Sequence, residues 1–304
     1  MASLSKHESR FFVGVDQKGS VIRSGPRTGQ PTPLPFALVR PSRDRRFKYQ
    51  LRVSDNSKRA LDFEHFKPQS LESRLNSIDP ELKLSMGAFL IDCVLGLPQD
   101  LLHKGCLAKF LETAKPQPSS AELMGFLFSL ASAFPRDEGP ALYGRAAASA
   151  FFRSTFPEVY PHPARRQCEI RLKANSLFLE RPYQKNIQTG TFRFWREIGE
   201  SLKDEPCWFH LWPHNTEKNS DLPLIGEGYP SALWKLNIGK SRSEPEQLVS
   251  WLKSERFDFK AIDEDILMTK PDWADAAILA ASLAQNGGFT PAAPSIEGAI
   301  FLPN

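Results

Sequence analysis

The sequence predicts an α/β protein with a mixed five-stranded sheet, flanking helices and a helical insertion between the fourth and fifth core strands. Two runs, FFVGVD at 11–16 and GAFLIDCVLGLP at 87–98, are apolar almost without break, as strands covered on both faces are. Helical and loop-rich patterning fills the chain from about 101 to 205, with proline breaks. Strand-like runs then return at WFHLW, 208–212, and LPLIGEGY, 222–229, followed by helical patterns at 244–254 and 272–285.

Each element has a local reason. The run at 11–16 ends in an acid and is followed by Gln17, Lys18, Gly19 and Ser20, a turn-forming set. Residues 25–35 are rich in Pro, Gly and Thr and read as a loop. The stretch FALVRPSRDRRFKYQLRVS reads as two strands joined by a charged turn carrying Arg40, Arg43, Arg45, Arg46, Lys48 and Arg52. It is either a solvated hairpin or an edge that contacts phosphates through Arg45, Arg46 and Lys48. Leu61, Phe63, Phe66, Leu71 and Leu75 give an imperfect apolar helical face, interrupted at Pro68. Residues 107–111, 121–134 and 192–202 supply the insertion's helices. Leu248, Trp251 and Leu252 share one face of the helix at 244–254, and Pro271 and Asp272 open a final helix of mostly Ala, Ile and Leu.

A chain of 304 residues, 41% hydrophobic and 24% charged, can bury a sizeable core, so residues 1–304 are expected to form a single domain with 101–205 as an insertion within it. No stretch reaches 18 apolar residues and the first ten carry charges where a signal peptide would be apolar, which predicts a cytoplasmic protein with no membrane partner. Cys93, Cys106, Cys168 and Cys207 form no CxxC pair and are expected to be buried, reduced thiols. A net charge of +4 and a pI near 8.8 permit a polyanionic partner without demanding one.

Acids recur where strands end. Asp16 closes the first strand, Asp92 lies inside the fourth, Glu227 ends the fifth, and Asp275 sits one turn into the last helix. A carboxylate in an apolar strand is costly to bury without a partner, and like charges that converge call for a cation. A hard divalent ion, Mg²⁺ or Mn²⁺, takes oxygen ligands of this kind, and phosphodiester hydrolysis is chemistry it supports. Each acid also has a plainer role: Asp16 could accept bonds from the 17–20 turn, and Asp92 could cap the chain leaving its strand.

These residues resemble a family of predicted RNase H-like nucleases, bacterial and archaeal, whose members are uncharacterised. FVGVD at 12–16 looks like its opening strand and FLIDCVLGLP at 89–98 like its "IDxPLGLP" signature. Arg166, Cys168 and Glu169 resemble its arginine and "CE" element, and QTGT at 188–191 its glycine-containing loop before a helix. Trp212-Pro213, GEGYPS at 226–231 with its "ExYP", Gly239-Lys240-Ser241, DWADAA at 272–277 and EGAIFLP at 297–303 follow in the family's order. The resemblance implies an RNase H-like fold and a metal-dependent nuclease acting on nucleic acid. It places Asp16, Asp92, Glu227 and Asp275 as metal-binding catalytic residues, Asp272 as a further ligand on the same helix face, and Lys240 as a phosphate contact. A second "E-x-Y-P" at Glu158 competes with Glu227, which is favoured because an apolar strand precedes it and Lys240 follows.

Other readings remain beside this one. A protein of the same fold could bind nucleic acid or assemble without turnover. An actin- or sugar-kinase-like ATP-handling protein would share the G-x-D-x-x-G-S pattern of 14–20 but needs a second domain and a second phosphate loop that are not evident. Cys207, His210 and His214 have a superficial zinc spacing, but strand residues three apart face opposite ways. The tryptophans at 195, 208, 212, 234, 251 and 273 suit core packing, with Trp234 the candidate for stacking on a base.

Overall fold

A computed structural model describes residues 10–16, 34–54, 68–78, 80–96, 120–132, 165–174, 187–204, 207–213, 222–239, 244–290 and 299–303. Seven strands share one sheet: β1 (Phe11–Val15), β2 (Phe36–Pro41), β3 (Tyr49–Ser54), β4 (Gly87–Ile91), β5 (His210–Leu211), β6 (Leu224–Glu227) and β7 (Phe257–Asp258). Their order is β5-β6-β4-β1-β2-β3-β7. β2 runs antiparallel to both neighbours, and every other pairing is parallel. The sheet is therefore wider than the expected five strands, because two-residue strands extend both edges. The runs at 208–212 and 222–229 supply β5 and β6, which pair in parallel.

β1 and β4 are buried at every residue, as their unbroken apolar runs require at the sheet centre. Alternation sends their side chains to two separate cores. Phe11, Val13, Val15, Phe89, Ile91 and Ile225 face a core completed by Leu123, Met124, Leu127, Phe194, Trp195 and Ile198. The latter belong to α2 (Ser120–Ser132) and α4 (Ile187–Asp204). With α3 (Gln167–Leu172), these are the described helices of the 101–205 stretch, and α2 and α4 pack against one face of the sheet. On this side α1 (Pro68–Ile78) begins at Pro68, which therefore opens the helix instead of interrupting it.

The other face carries Phe12, Ala88 and Leu90 against α5 (Pro230–Ile238), α6 (Pro245–Ser254), α7 (Ala261–Thr269) and α8 (Pro271–Gln285). α8 is buried from Ala274 to Ala284. It lies so close to β1 that a Cβ on Gly14 would overlap the backbone of Ala276 and Ala280. Its polarity follows from a contact at its far end. Tyr49 Oη, at the start of β3, donates to the Ala284 carbonyl at 2.7 Å, so the C-terminal end of α8 points toward the β2–β3 turn. Its N-terminal end therefore sits over the C-terminal ends of β1 and β4. Among the described residues no helix is long and apolar enough to cross a membrane.

Candidate functional site

Strand register decides which acids meet. Val15, Ile91 and Glu227 lie in one row across β1, β4 and β6. The next row along is Asp16, Asp92 and Gly228, tied by Asp92 N to Val15 O at 2.9 Å and Gly228 N to Ile91 O at 2.8 Å. Adjacent strands are about 4.8 Å apart, so Asp16 and Asp92 are neighbours at the same sheet edge. Val15 and Ile91 belong to the α2–α4 core, so alternation turns Asp16 and Asp92 toward α8. Asp16 is only 7% exposed and Asp92 is half-buried.

Asp275 comes to this edge from above. It is buried, one turn before the Leu279 that packs near Gly228, and its Oδ1 accepts a bond from Trp234 Nε1 at 2.9 Å. Trp234 is itself fully buried, so it orients Asp275 and has no face to offer a base. Asp272 is half-buried in the first turn of α8, where its charge favours the helix dipole. Tyr229 stands at the same edge. Burial raises its phenol pKa, the charge of Asp92 raises it further, and a bond with Ser231 opposes both.

Glu227 is one row back, and its side chain points to the opposite face of the sheet, with Ile91 and Val15. There Arg166 grips it: Nη1 donates to Oε2 at 2.6 Å and Nη2 to Oε1 at 2.5 Å. Leu95 N adds a third bond to Oε2 at 2.9 Å. The same guanidinium donates through Nε to Glu169 Oε1 at 2.8 Å, while Arg166 N bonds Glu169 Oε2 at 3.0 Å. Arg166 is 1% exposed. Burial works against its charge, but Glu227 and then Glu169 outweigh it and hold its pKa well above the usual value. Burial raises the Glu169 carboxyl, against the pull of Arg166. The turn after Asp92 is secured from α4 as well, by Val94 N to Thr191 Oγ1 at 3.1 Å and Trp195 Nε1 to Val94 O at 2.7 Å. Residues 188–191, expected as a loop before a helix, are already part of α4.

The thiols follow their surroundings. Cys93 is buried, and its pKa is pushed well up by desolvation and then by the charges of Glu227 and Asp92. Burial pushes Cys168 up to about 11. Cys168 and Cys207 are only partly buried, against expectation, though all three are free thiols. Cys106 lies outside the described residues, as do Lys240, Glu158 and His214.

The basic hairpin stands apart from the acids. β2 starts beside Val15 and ends at Pro41, so the 42–48 turn sits at the opposite end of the sheet, roughly 20 Å from Asp16 over six residues. Arg45, Arg46 and Lys48 are exposed there, and Arg46 folds onto Asp44 at 2.7 Å. Arg43 pairs with Glu81, Arg40 with Gln50, and Arg52 approaches Asp258 and Asp263 at 3.9 and 3.7 Å. Arg256 reaches back to the carbonyls of Arg45 and Arg46.

The structure thus gathers Asp16, Asp92 and Asp275 at one edge and face, leaves Asp272 beside them on the helix, and places Glu227 behind the sheet. Among the described residues no three His, Cys, Asp or Glu side chains are already arranged as the cage of a metal ion. Sequence reasoning noted Arg166 and Glu169 without a role, and gave none to Thr191 or Tyr229. A buried arginine two residues from a cysteine carries no local signal of the glutamate it will meet. Compared with protein-family models, curated proteins and solved structures, the chain matches none.

Proposed function

We propose that this protein is a divalent-metal-dependent nuclease with an RNase H-like core. The observation that carries the reading is the row of Asp16 and Asp92 at the ends of adjacent parallel strands, under the helix end that brings Asp275. The topology supports the fold assignment: β3-β2-β1-β4-β6 has four strands running in one direction and an antiparallel β2 between β1 and β3. That is the order expected of an RNase H-like sheet.

The residues fit a hard cation in kind, since the described residues at the edge offer aspartate carboxylates with the Tyr229 phenol beside them. Asp16, Asp92 and Asp275 would hold Mg²⁺ or Mn²⁺ after rotation of their own side chains, with Asp272 as a neighbour on the helix. Glu227 does not fit with them, because Arg166 and Leu95 N already occupy both its oxygens. When bound, the ion supplies Lewis-acid activation of water and of the phosphoryl oxygens. Trp234 keeps Asp275 aimed, and the packing of α8 on Gly14 keeps solvent out beneath the acids. Arg45, Arg46 and Lys48 are too far away to touch the same phosphate, so any contribution they make is to docking a longer polyanion.

The test is a panel of labelled single-stranded and duplex DNA, RNA and hybrid, incubated with Mg²⁺ or Mn²⁺. Wild type is expected to cut at least one member, and Asp16→Asn to lose cutting at least 100-fold while still binding, because it removes a metal ligand and not a phosphate contact. Binding without cleavage by wild type on every substrate would replace the nuclease with a non-catalytic nucleic-acid-binding protein.

A further inference from the structure

We infer that Glu227 is a positioning residue and not a metal ligand, and that Arg166 stands beside it as a built-in cation fixing the turn that carries Asp92. The inference rests on the proposed metal site, but its evidence is separate. In-register strands send side chains of one row to the same face, and Glu227 shares its row with Ile91, not with Asp92. Its oxygens are taken by a bidentate guanidinium and a backbone amide, and guanidinium forks bind carboxylates in a fixed plane that a lysine cannot reproduce. The amide belongs to Leu95, three residues after Asp92. Val94, between them, is held on both its N–H and its C=O by Thr191 and Trp195.

The 92–95 turn is therefore fastened at consecutive peptide groups, and Asp92 is the first residue beyond β4 that this fastening controls. The charges agree with this division. Arg166 is shared between Glu227 and Glu169, so the carboxylates behind the sheet already have a cation of their own. A cation bound in front needs three aspartates and leaves Glu227 in place.

The experiment is calorimetric titration of the full chain with Mn²⁺ alone, combined with amide-resolved hydrogen exchange, on wild type, Asp16→Asn, Glu227→Gln and Arg166→Lys. Glu227→Gln is expected to keep the wild-type Mn²⁺ stoichiometry, with affinity within about 3-fold, while the Leu95 amide exchanges at least 10-fold faster. Arg166→Lys is expected to show the same faster exchange at Leu95, and Asp16→Asn to lose Mn²⁺ affinity 100-fold or more with Leu95 protection unchanged. If Glu227→Gln loses Mn²⁺ as Asp16→Asn does, Glu227 is a ligand and the inference is overturned. If wild type takes up no Mn²⁺, the metal reading of the aspartates fails; the Leu95 exchange then still decides the positioning role, which unchanged protection in Glu227→Gln and Arg166→Lys would refute.

Discussion

Arg166 and Glu227, 61 residues apart in the chain, form a two-bond fork behind the sheet in which neither side chain is more than 4% exposed. The pair joins the segment that contains α3 to the end of β6, and through Leu95 N to the turn after β4. Two carboxylates converge on one guanidinium, so removal of the arginine strands both.

Arg166→Ala is accordingly expected to destabilise the protein by about 3–5 kcal/mol, the cost of leaving buried charges uncompensated. Arg166→Met combined with Glu227→Gln and Glu169→Gln should lose less than the sum of the single changes, because the partners left unpaired are neutral. Urea unfolding followed by tryptophan fluorescence measures both. A loss under about 1 kcal/mol for Arg166→Ala would show that the clasp contributes little.

Gly14 and Gly125 make a contrasting pair. A methyl group on Gly14 runs into the backbone of α8, whereas one on Gly125 meets nothing within 4 Å. Gly14→Ala should cost about 1–3 kcal/mol or more through displacement of α8, and should weaken Mn²⁺ binding because Asp275 moves with the helix. Gly125→Ala, in the exposed part of α2, should instead stabilise by about 0.5–1 kcal/mol. Equal effects in thermal melts would contradict the close approach of α8 to β1.

The thiols give a pH signature. Cys168 rises from an ordinary 9.0 to about 11 on folding, chiefly through burial. A raised folded pKa means that its contribution to stability is fully present below pH 9 and is lost as pH climbs toward 11. At pH 8 its thiolate fraction, and hence its rate with iodoacetamide, should be about 100-fold below that of the same thiol in denaturant. Cys93, which is buried and has its pKa raised well above the usual thiol value, should be slower still. Peptide-resolved mass spectrometry of alkylation follows each site separately, and labelling of Cys168 at the denatured rate would refute its burial.

Much of the frame was legible in the residues themselves. FFVGV and GAFLI announce central strands because unbroken hydrophobicity suits only a strand covered on both faces, and both are fully buried. The basic hairpin and the α8 helix were also readable, one from alternation around a charged turn and the other from an alanine-rich run opened by proline. Short elements escaped: α3 has six residues and β7 two, too few to show a period against the noise of neighbouring positions.

The sequence by itself determined that acids end apolar strands, but not which face each would take. That depends on register, a relative offset between two strands that neither strand encodes alone. One residue of offset places Asp16 and Asp92 under α8 and turns Glu227 to Arg166. The distance from the basic hairpin to the acids was likewise a matter of strand direction: antiparallel β2 carries its far end away from Asp16. Tertiary structure alone chose the partner of Arg166, since a guanidinium buried this deeply persists only where folding brings carboxylates from distant segments around it.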